Sequence, residues 1–139
     1  MNDGDLCYIS ATEALARFRA RTLSPVELME AIICRAESIT ETINPFADRY
    51  FDEARTRARK SEALFLKRNV DPGPLEGIPL AVKDMCEIAG KRTTYGSLIY
   101  SENISSETSP YVQRLIQAGA NVFARTTAPE FGWLFTTQS

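Results

Sequence analysis

The stretch GPLEGIPLAVKD (residues 73–84) decides the fold and raises the main question about function. Glycine and proline fill four of its first seven positions, which is typical of a turn. Residues 78–82 then form an apolar run without polar alternation, which favours a strand buried on both faces, as in a parallel sheet. Lys83 and Asp84 follow at the carboxyl end of this predicted strand, where open α/β sheets carry their sites.

The sequence before this stretch is predicted to be mainly helical. Capping boxes, in which a serine hydroxyl and a glutamate satisfy the first free amides of a helix, occur at residues 10–13 (SATE) and 24–27 (SPVE). Residues 46–51 fit a short strand, and Asp52 is the expected N-cap of a third helix. A turn-rich segment follows that helix and marks a boundary, so we predict a helical N-terminal region over residues 1–72.

The second region, residues 73–139, has the pattern of an α/β fold. A loop at residues 90–97 separates the predicted strand from a helix that begins at Ser109-Pro110, and a further short strand is expected at residues 120–124. This order of strand, loop, helix and strand implies a right-handed crossover between parallel strands. We therefore expect an α/β fold in which N-terminal helices precede the start of a mixed, largely parallel sheet with covering helices.

Composition and charge narrow the class of function. The 139 residues are 44% hydrophobic and 24% charged, and the net charge of -2 argues against nucleic acids or anionic membranes as partners. No apolar stretch reaches the roughly 18 residues of a membrane-spanning helix. The three cysteines form no CxxC pair, which predicts free thiols in a reducing, cytoplasmic setting. The sequence gives no sign of a metal or organic cofactor.

The sequence contains no histidine, and this limits the available chemistry. Ser-His-Asp and Cys-His arrangements cannot be built from this chain alone, so a base would have to be a lysine, a carboxylate or a tyrosine. Lys83 stands where an active-site residue would stand, although the pattern equally fits a lysine that leaves the strand and extends into solvent. A kinase-like strand lysine does not fit, because the chain has no glycine-rich loop ahead of it and no HRD or DFG motif.

Four motifs in the second half of the chain resemble those of the amidase signature family. They are GIPLAVKD at residues 77–84, GKRTTYGS at 90–97, AGA at 118–120 and RTTAPEF at 125–131. Their order matches the family's order, and four ordered motifs are much more specific than any one of them. The segment LSPVEL, near the start of the second predicted helix, also recurs in the family.

The resemblance implies hydrolysis of a small-molecule amide by a nucleophilic serine, a bridging serine that follows a cis peptide bond, and a lysine. Lys83 matches the lysine, while Asp84 and Ser97 are expected to be structural. The two family serines lie in a downstream Gly/Ser-rich segment that these 139 residues lack. We therefore expect the chain to be the N-terminal part of an amide hydrolase and to be inactive alone.

Two other functions remain open at this point. The glutamine-dependent tRNA amidotransferase has an A-type subunit with the same motifs, and this function would imply protein partners and ammonia delivery. A truncated, non-catalytic module is the other alternative. Because the last residues (EFGWLFTTQS) are rich in aromatic side chains and the sheet would have an unpaired edge, we expect the chain to associate with copies of itself as a homo-oligomer.

Overall fold

The computed structural model describes residues 6–134 and residue 136. The helices and strands are, in chain order, α1 (Ala11–Ala20), α2 (Pro25–Ile43), β1 (Phe46–Arg49), α3 (Phe51–Leu66), β2 (Pro79–Lys83), α4 (Pro110–Gln117) and β3 (Asn121–Thr126). Short 3₁₀-helices at Leu98–Tyr100 and Glu130–Gly132 lie in the loops. The predicted α/β class is confirmed. Among these residues, no helix has both the length and the apolar character needed to cross a membrane.

The predicted starts of α1 and α2 are confirmed by their caps. The Ser24 hydroxyl accepts a hydrogen bond from the second amide of α2 at 2.9 Å, and the Glu27 carboxylate accepts one from the Ser24 amide at 2.7 Å. At α1, the Ser10 hydroxyl accepts from the Glu13 amide at 3.1 Å. The Glu13 carboxylate pairs with Arg17 at 2.5 Å. A side-chain cap of this kind contributes about 1 kcal/mol of stability.

The predicted cap at Asp52 is wrong. Helix α3 begins at Phe51, with Tyr50 in the N-cap position and no side-chain cap. The Tyr50 amide donates to the Phe123 carbonyl at 2.8 Å, so the chain passes from its last sheet hydrogen bond directly into the helix. Asp52 lies in the first turn, where a carboxylate interacts favourably with the helix dipole, and it pairs with Arg55 at 3.2 Å.

The sheet has the strand order β1-β3-β2. Central β3 is parallel to β2 and antiparallel to β1, so the predicted parallel pair is confirmed. The prediction that residues 78–82 are buried on both faces is wrong, because Val82 is buried while Ala81 and Lys83 are exposed. β2 is an edge strand of the described sheet, and the α4 side of the fold covers only the face that carries Val82.

The main apolar core lies between α2, α3 and the sheet. Its buried side chains are Met29, Ile33, Ala36, Ala54, Ala58, Phe123 and Ala124. A second cluster around Phe18 and Leu28 packs α1 against α2, and the Phe18 ring lies 5.5 Å from that of Phe65. A third and smaller cluster joins α4 to β2 through Val82 and Val112. The carboxyl ends of β2 and β3 lie outside these clusters and are held by polar contacts.

Candidate active site at the carboxyl ends of β2 and β3

A buried ion pair joins the carboxyl ends of the two parallel strands. Asp84 follows β2 and Arg125 lies in β3; Arg125 Nη2 is 2.9 Å from Asp84 Oδ1, and the side chains are 0% and 1% exposed. Arg125 Nη1 donates to the Cys86 carbonyl at 2.7 Å, and the Asp84 amide donates to the Thr126 carbonyl at 2.9 Å. Removing either charge would leave the other buried without its partner, which is strongly destabilising.

The loop after β2 folds back onto this ion pair. The Thr94 amide donates to Asp84 Oδ1 at 3.0 Å, and the Thr94 hydroxyl donates to Asp84 Oδ2. The Thr93 hydroxyl accepts from Arg125 Nη2 at 3.1 Å and from the Ser105 hydroxyl at 2.8 Å. We call these five residues, Asp84, Thr93, Thr94, Ser105 and Arg125, the strand-end network. All of them except Thr94 are buried.

A tight turn joins the same loop to the segment after β3. Gly96 has a φ of +68°, and a Cβ atom at this position would lie 2.3 Å from the Ala128 carbonyl oxygen, so only glycine fits. The neighbouring Ser97 hydroxyl donates to Glu130 Oε1 at 2.6 Å. Ser97 is buried, and in this arrangement it fastens one loop to the other.

Lys83 is the last residue of β2 and lies opposite Thr126 of β3. Its side chain is exposed while that of Asp84 is buried, because successive residues of an extended chain face opposite sides. Within the part of the chain that the structure describes, Lys83 takes part in no ion pair. The backbone is therefore fixed beside Lys83, and the amine remains accessible.

A second polar cluster attaches β1 to the loop after β2. Arg92 Nη2 lies 2.9 Å from Asp48 Oδ1. Lys91 Nζ lies 2.6 Å from Glu53 and 4.3 Å from the centre of the Tyr50 ring. Burial, reinforced by the nearby Asp48 carboxylate, raises the pKa of Tyr50 to about 12. Tyr50 is therefore a neutral phenol at physiological pH.

A mostly apolar cavity of about 240 Å³ lies beside this second cluster. Its walls include Tyr50, Ile88, Lys91, Ile116 and Val122. Neither Lys83 nor Asp84 lines the cavity, so it is separate from the site that the strand ends indicate. No group of three potential metal-ligating side chains occurs among the described residues.

The sequence profile of the amidase family matches residues 27–139. The chain belongs to the amidase family. An acylamidase from Rhodococcus erythropolis is 33% identical over 134 residues, which are 96% of this chain and 28% of that protein. The A-type subunit of the glutamyl-tRNA(Gln) amidotransferase from Carboxydothermus hydrogenoformans is 32% identical over 135 residues, which are 97% of this chain and 28% of that relative.

Solved structures of amidase-family enzymes share the fold. Fatty acid amide hydrolase matches with a TM-score of 0.84 and 28% identity over 91% of this chain and 22% of its own. The peptide amidase from Stenotrophomonas maltophilia matches with a TM-score of 0.79 and 26% identity over 89% of this chain and 26% of its own. The chain thus spans between 22% and 28% of the length of these four relatives.

Three of the four amidase motifs found in the sequence meet at one place in the structure. The fourth, AGA at residues 118–120, lies just before β3, where the Leu75 amide donates to the Ala118 carbonyl. GIPLAVKD supplies Lys83 and Asp84, GKRTTYGS supplies Thr93, and RTTAPEF supplies Arg125. All of these residues lie in the motifs identified from the sequence, but the sequence did not predict the Asp84–Arg125 pair, because 41 positions separate the two residues. One feature of the sequence could have indicated the pair: Asp84 directly follows an apolar strand, and a charged side chain that is buried at such a position needs a partner of opposite charge.

Proposed function

We propose that the chain is the lysine-bearing N-terminal part of an amidase that hydrolyses the carbon–nitrogen bond of linear amides, with Lys83 as its catalytic lysine. The observation that supports this most directly is that residues from three of the four amidase motifs form one buried network beside Lys83. The fixed backbone holds the Lys83 amine at the carboxyl end of a strand, where open α/β sheets carry their sites, and the amine is accessible to a hydrogen-bonding partner.

The resemblance to the family supplies the chemistry for this proposal. Nζ of Lys83 would accept, through a bridging serine hydroxyl, the proton of a nucleophilic serine, whose Oγ attacks the amide carbonyl. The proton then passes to the leaving amine as the carbon–nitrogen bond breaks, and water hydrolyses the ester that remains on the serine. The lysine does the work of the histidine in a Ser-His-Asp site, which agrees with a sequence that has no histidine.

The 139-residue chain is proposed to be inactive by itself. Its sequence contains no Gly/Ser-rich segment with two serines, and donors that stabilise an oxyanion would have to be supplied with that segment. In this view residues 1–72 are the helical N-terminal region, which also contributes β1 to the sheet, and residues 73–139 are the first part of the amidase core. The assay is release of p-nitroaniline from p-nitroacetanilide by the purified chain, for which no activity above buffer is expected. Hydrolysis that disappears in Lys83→Ala would contradict the proposal.

A chimera tests the role of Lys83 in a complete enzyme. This chain replaces the matching 134-residue segment of the Rhodococcus erythropolis acylamidase, and the same release of p-nitroaniline is followed. We expect Lys83→Ala to lower kcat by about 10³-fold or more, because it removes the base. Lys83→Arg should be as inactive, since a guanidinium does not give up its proton at neutral pH.

The matched control is Lys60→Ala. Lys60 is also an exposed lysine, but it lies on α3. We expect less than about a twofold change in kcat for this variant, as for most surface substitutions. Circular dichroism establishes that each chimera is folded. A folded Lys83→Ala chimera that keeps the parent chimera's kcat would contradict the role of Lys83.

The second candidate function is that of an amidotransferase A-type subunit. The similarity to the Carboxydothermus hydrogenoformans protein, at 32% identity, favours it about as much as the acylamidase similarity favours the amidase. In that case the hydrolysed amide would be glutamine and the ammonia would pass to a partner protein. A gene for such a partner beside this one, with co-purification of the two products, would favour the amidotransferase. Aryl-amide hydrolysis without a partner would favour the amidase.

The third candidate function is a non-catalytic cytoplasmic module that associates with a second copy of itself. Leu98, Ile99 and Trp133 are more than four-fifths exposed, at 91%, 83% and 86%, and β2 is an edge strand. Phe135 of the predicted aromatic ending lies outside the described residues. Sedimentation equilibrium should show dimers or larger species. A clean monomer at high concentration would contradict self-association.

A further inference from the structure

Three buried polar atoms beside the β1–β3 pair have no hydrogen-bond partner among the described residues. They are Asp48 Oδ2, the Tyr50 hydroxyl and Arg125 Nε. A buried donor or acceptor that lost its water without gaining a partner is destabilising, so such groups are rare in folded proteins. Three of them on neighbouring residues indicate a bound molecule that satisfies them together.

The three side chains belong to one region of the sheet surface. Asp48 and Arg125 are directly opposite each other in the antiparallel register, so both leave the sheet on the same face. Tyr50 follows Asp48 by two positions and lies one residue beyond β1, where its amide still donates to the Phe123 carbonyl of β3 at 2.8 Å, so the alternation of the strand carries its side chain to that face. The charges of both residues act on the Tyr50 hydroxyl, since Asp48 raises its pKa and Arg125 lowers it.

The chemistry of the three atoms defines what can bind. Asp48 Oδ2 can only accept a hydrogen bond, Arg125 Nε can only donate one, and a phenol can do both. The charges are already balanced, because Asp48 pairs with Arg92 and Arg125 pairs with Asp84. An ion would therefore gain little at this position. A small neutral molecule that both donates and accepts hydrogen bonds fits all three atoms.

We propose that Asp48, Tyr50 and Arg125 bind one structural water molecule. The water accepts a hydrogen bond from Arg125 Nε, donates one to Asp48 Oδ2, and forms its third with the Tyr50 hydroxyl. It thereby links the edge strand β1 to the strand-end network through Arg125. This site does not depend on amide hydrolysis, and it applies to the chain in any of the three candidate functions.

The test combines a crystal structure with a measurement of long-lived water. The crystal structure of the unaltered chain should show an ordered solvent oxygen within hydrogen-bond distance of all three atoms. In solution, oxygen-17 magnetic relaxation dispersion detects water that exchanges slowly with the bulk. Tyr50→Phe removes one of the three partners and should reduce this slow component by about one water molecule.

Tyr95→Phe is the matched control. The Tyr95 hydroxyl donates directly to Glu87 Oε1 at 2.5 Å, so its removal should leave the slow component unchanged. An equal slow component in the unaltered chain and in folded Tyr50→Phe would overturn the proposal. A crystal structure with a direct Tyr50–Asp48 hydrogen bond, or with no solvent oxygen between the three atoms, would also overturn it, whether or not the variant folds.

Discussion

Met29 in the helical layer and Arg125 at the strand ends are both fully buried, yet opposite kinds of contact hold them. Met29 is surrounded by apolar side chains from α3 and β3, whereas Arg125 is held by an aspartate, a carbonyl and a threonine hydroxyl. Apolar packing tolerates small changes of shape at a graded cost, while a buried polar network needs every partner in place. The helical layer therefore supports the fold, and the strand ends fix the geometry beside Lys83.

The largest effect is expected for Arg125→Met. This change leaves the Asp84 carboxylate buried without its cation, and it should lower the free energy of unfolding by about 3–5 kcal/mol. Even Arg125→Lys should be clearly destabilising, because one ammonium group cannot reproduce the planar contacts of a guanidinium. Urea unfolding measures both variants. A loss below about 1 kcal/mol for Arg125→Met would mean that the ion pair does not hold the strand ends.

The next largest effect is expected for Met29→Ala, which should lower the free energy of unfolding by about 2–5 kcal/mol because it creates a cavity in the apolar core. The contrast with Arg125 lies in the conservative substitution. Met29→Leu keeps the volume and should cost less than about 1.5 kcal/mol. The same urea titrations measure these two variants. If Met29→Leu cost as much as Arg125→Lys, the difference between the two regions would not hold.

Gly96→Ala should cost about 1–3 kcal/mol, because it forces a side chain into a positive-φ turn and against the Ala128 carbonyl. Gly90→Ala is the control: Gly90 also has a positive φ, of +74°, but a Cβ there would meet no atom within 4 Å. The difference between their melting temperatures isolates the close contact of the two loops. An equal decrease in melting temperature for the two variants would show that the positive φ alone requires glycine at residue 96, and that the contact with Ala128 adds nothing.

A smaller, pH-dependent effect is expected at Tyr95. The hydrogen bond to Glu87 raises the pKa of Tyr95 from its ordinary value of 10.0 to about 12. Because the folded-state pKa is the higher one, this bond stabilises the protein fully below pH 10 and is lost as the pH rises to 12. Urea unfolding should show a smaller loss of stability between these pH values for Tyr95→Phe than for the unaltered chain. Identical pH profiles would contradict this role of Tyr95.

The sequence was sufficient for the features that depend on neighbouring residues. The capping serines at 10 and 24 and the strand–loop–helix–strand order of residues 78–126 were predictable, because caps and periodicity are local properties. The failures concern long-range context. The prediction that β2 is buried on both faces was wrong, because the sequence of a strand does not determine whether that strand lies at the edge of the sheet. The prediction that Asp52 caps α3 was wrong because the Tyr50 amide forms a sheet hydrogen bond and the helix begins directly after Tyr50.

The candidate site was predictable only in part for the same reason. The position of Lys83 at the end of a strand follows from the pattern of GIPLAVKD, as does the opposite orientation of Asp84. The partners of Asp84 do not follow from that pattern, because Thr94 and Arg125 come from a separate loop and a separate strand. Only the folded structure shows that these distant residues lie within hydrogen-bond distance of Asp84.

A double-mutant cycle on Asp84 and Arg125 tests most directly whether a charge pair fixes the strand ends. The free energy of unfolding is measured by urea titration for Asp84→Leu, Arg125→Met and the double variant. If the pair acts as a unit, the double variant loses less stability than the two single losses added together, with a coupling of at least about 2 kcal/mol. Single losses that simply add would show that each side chain acts alone and would contradict the account.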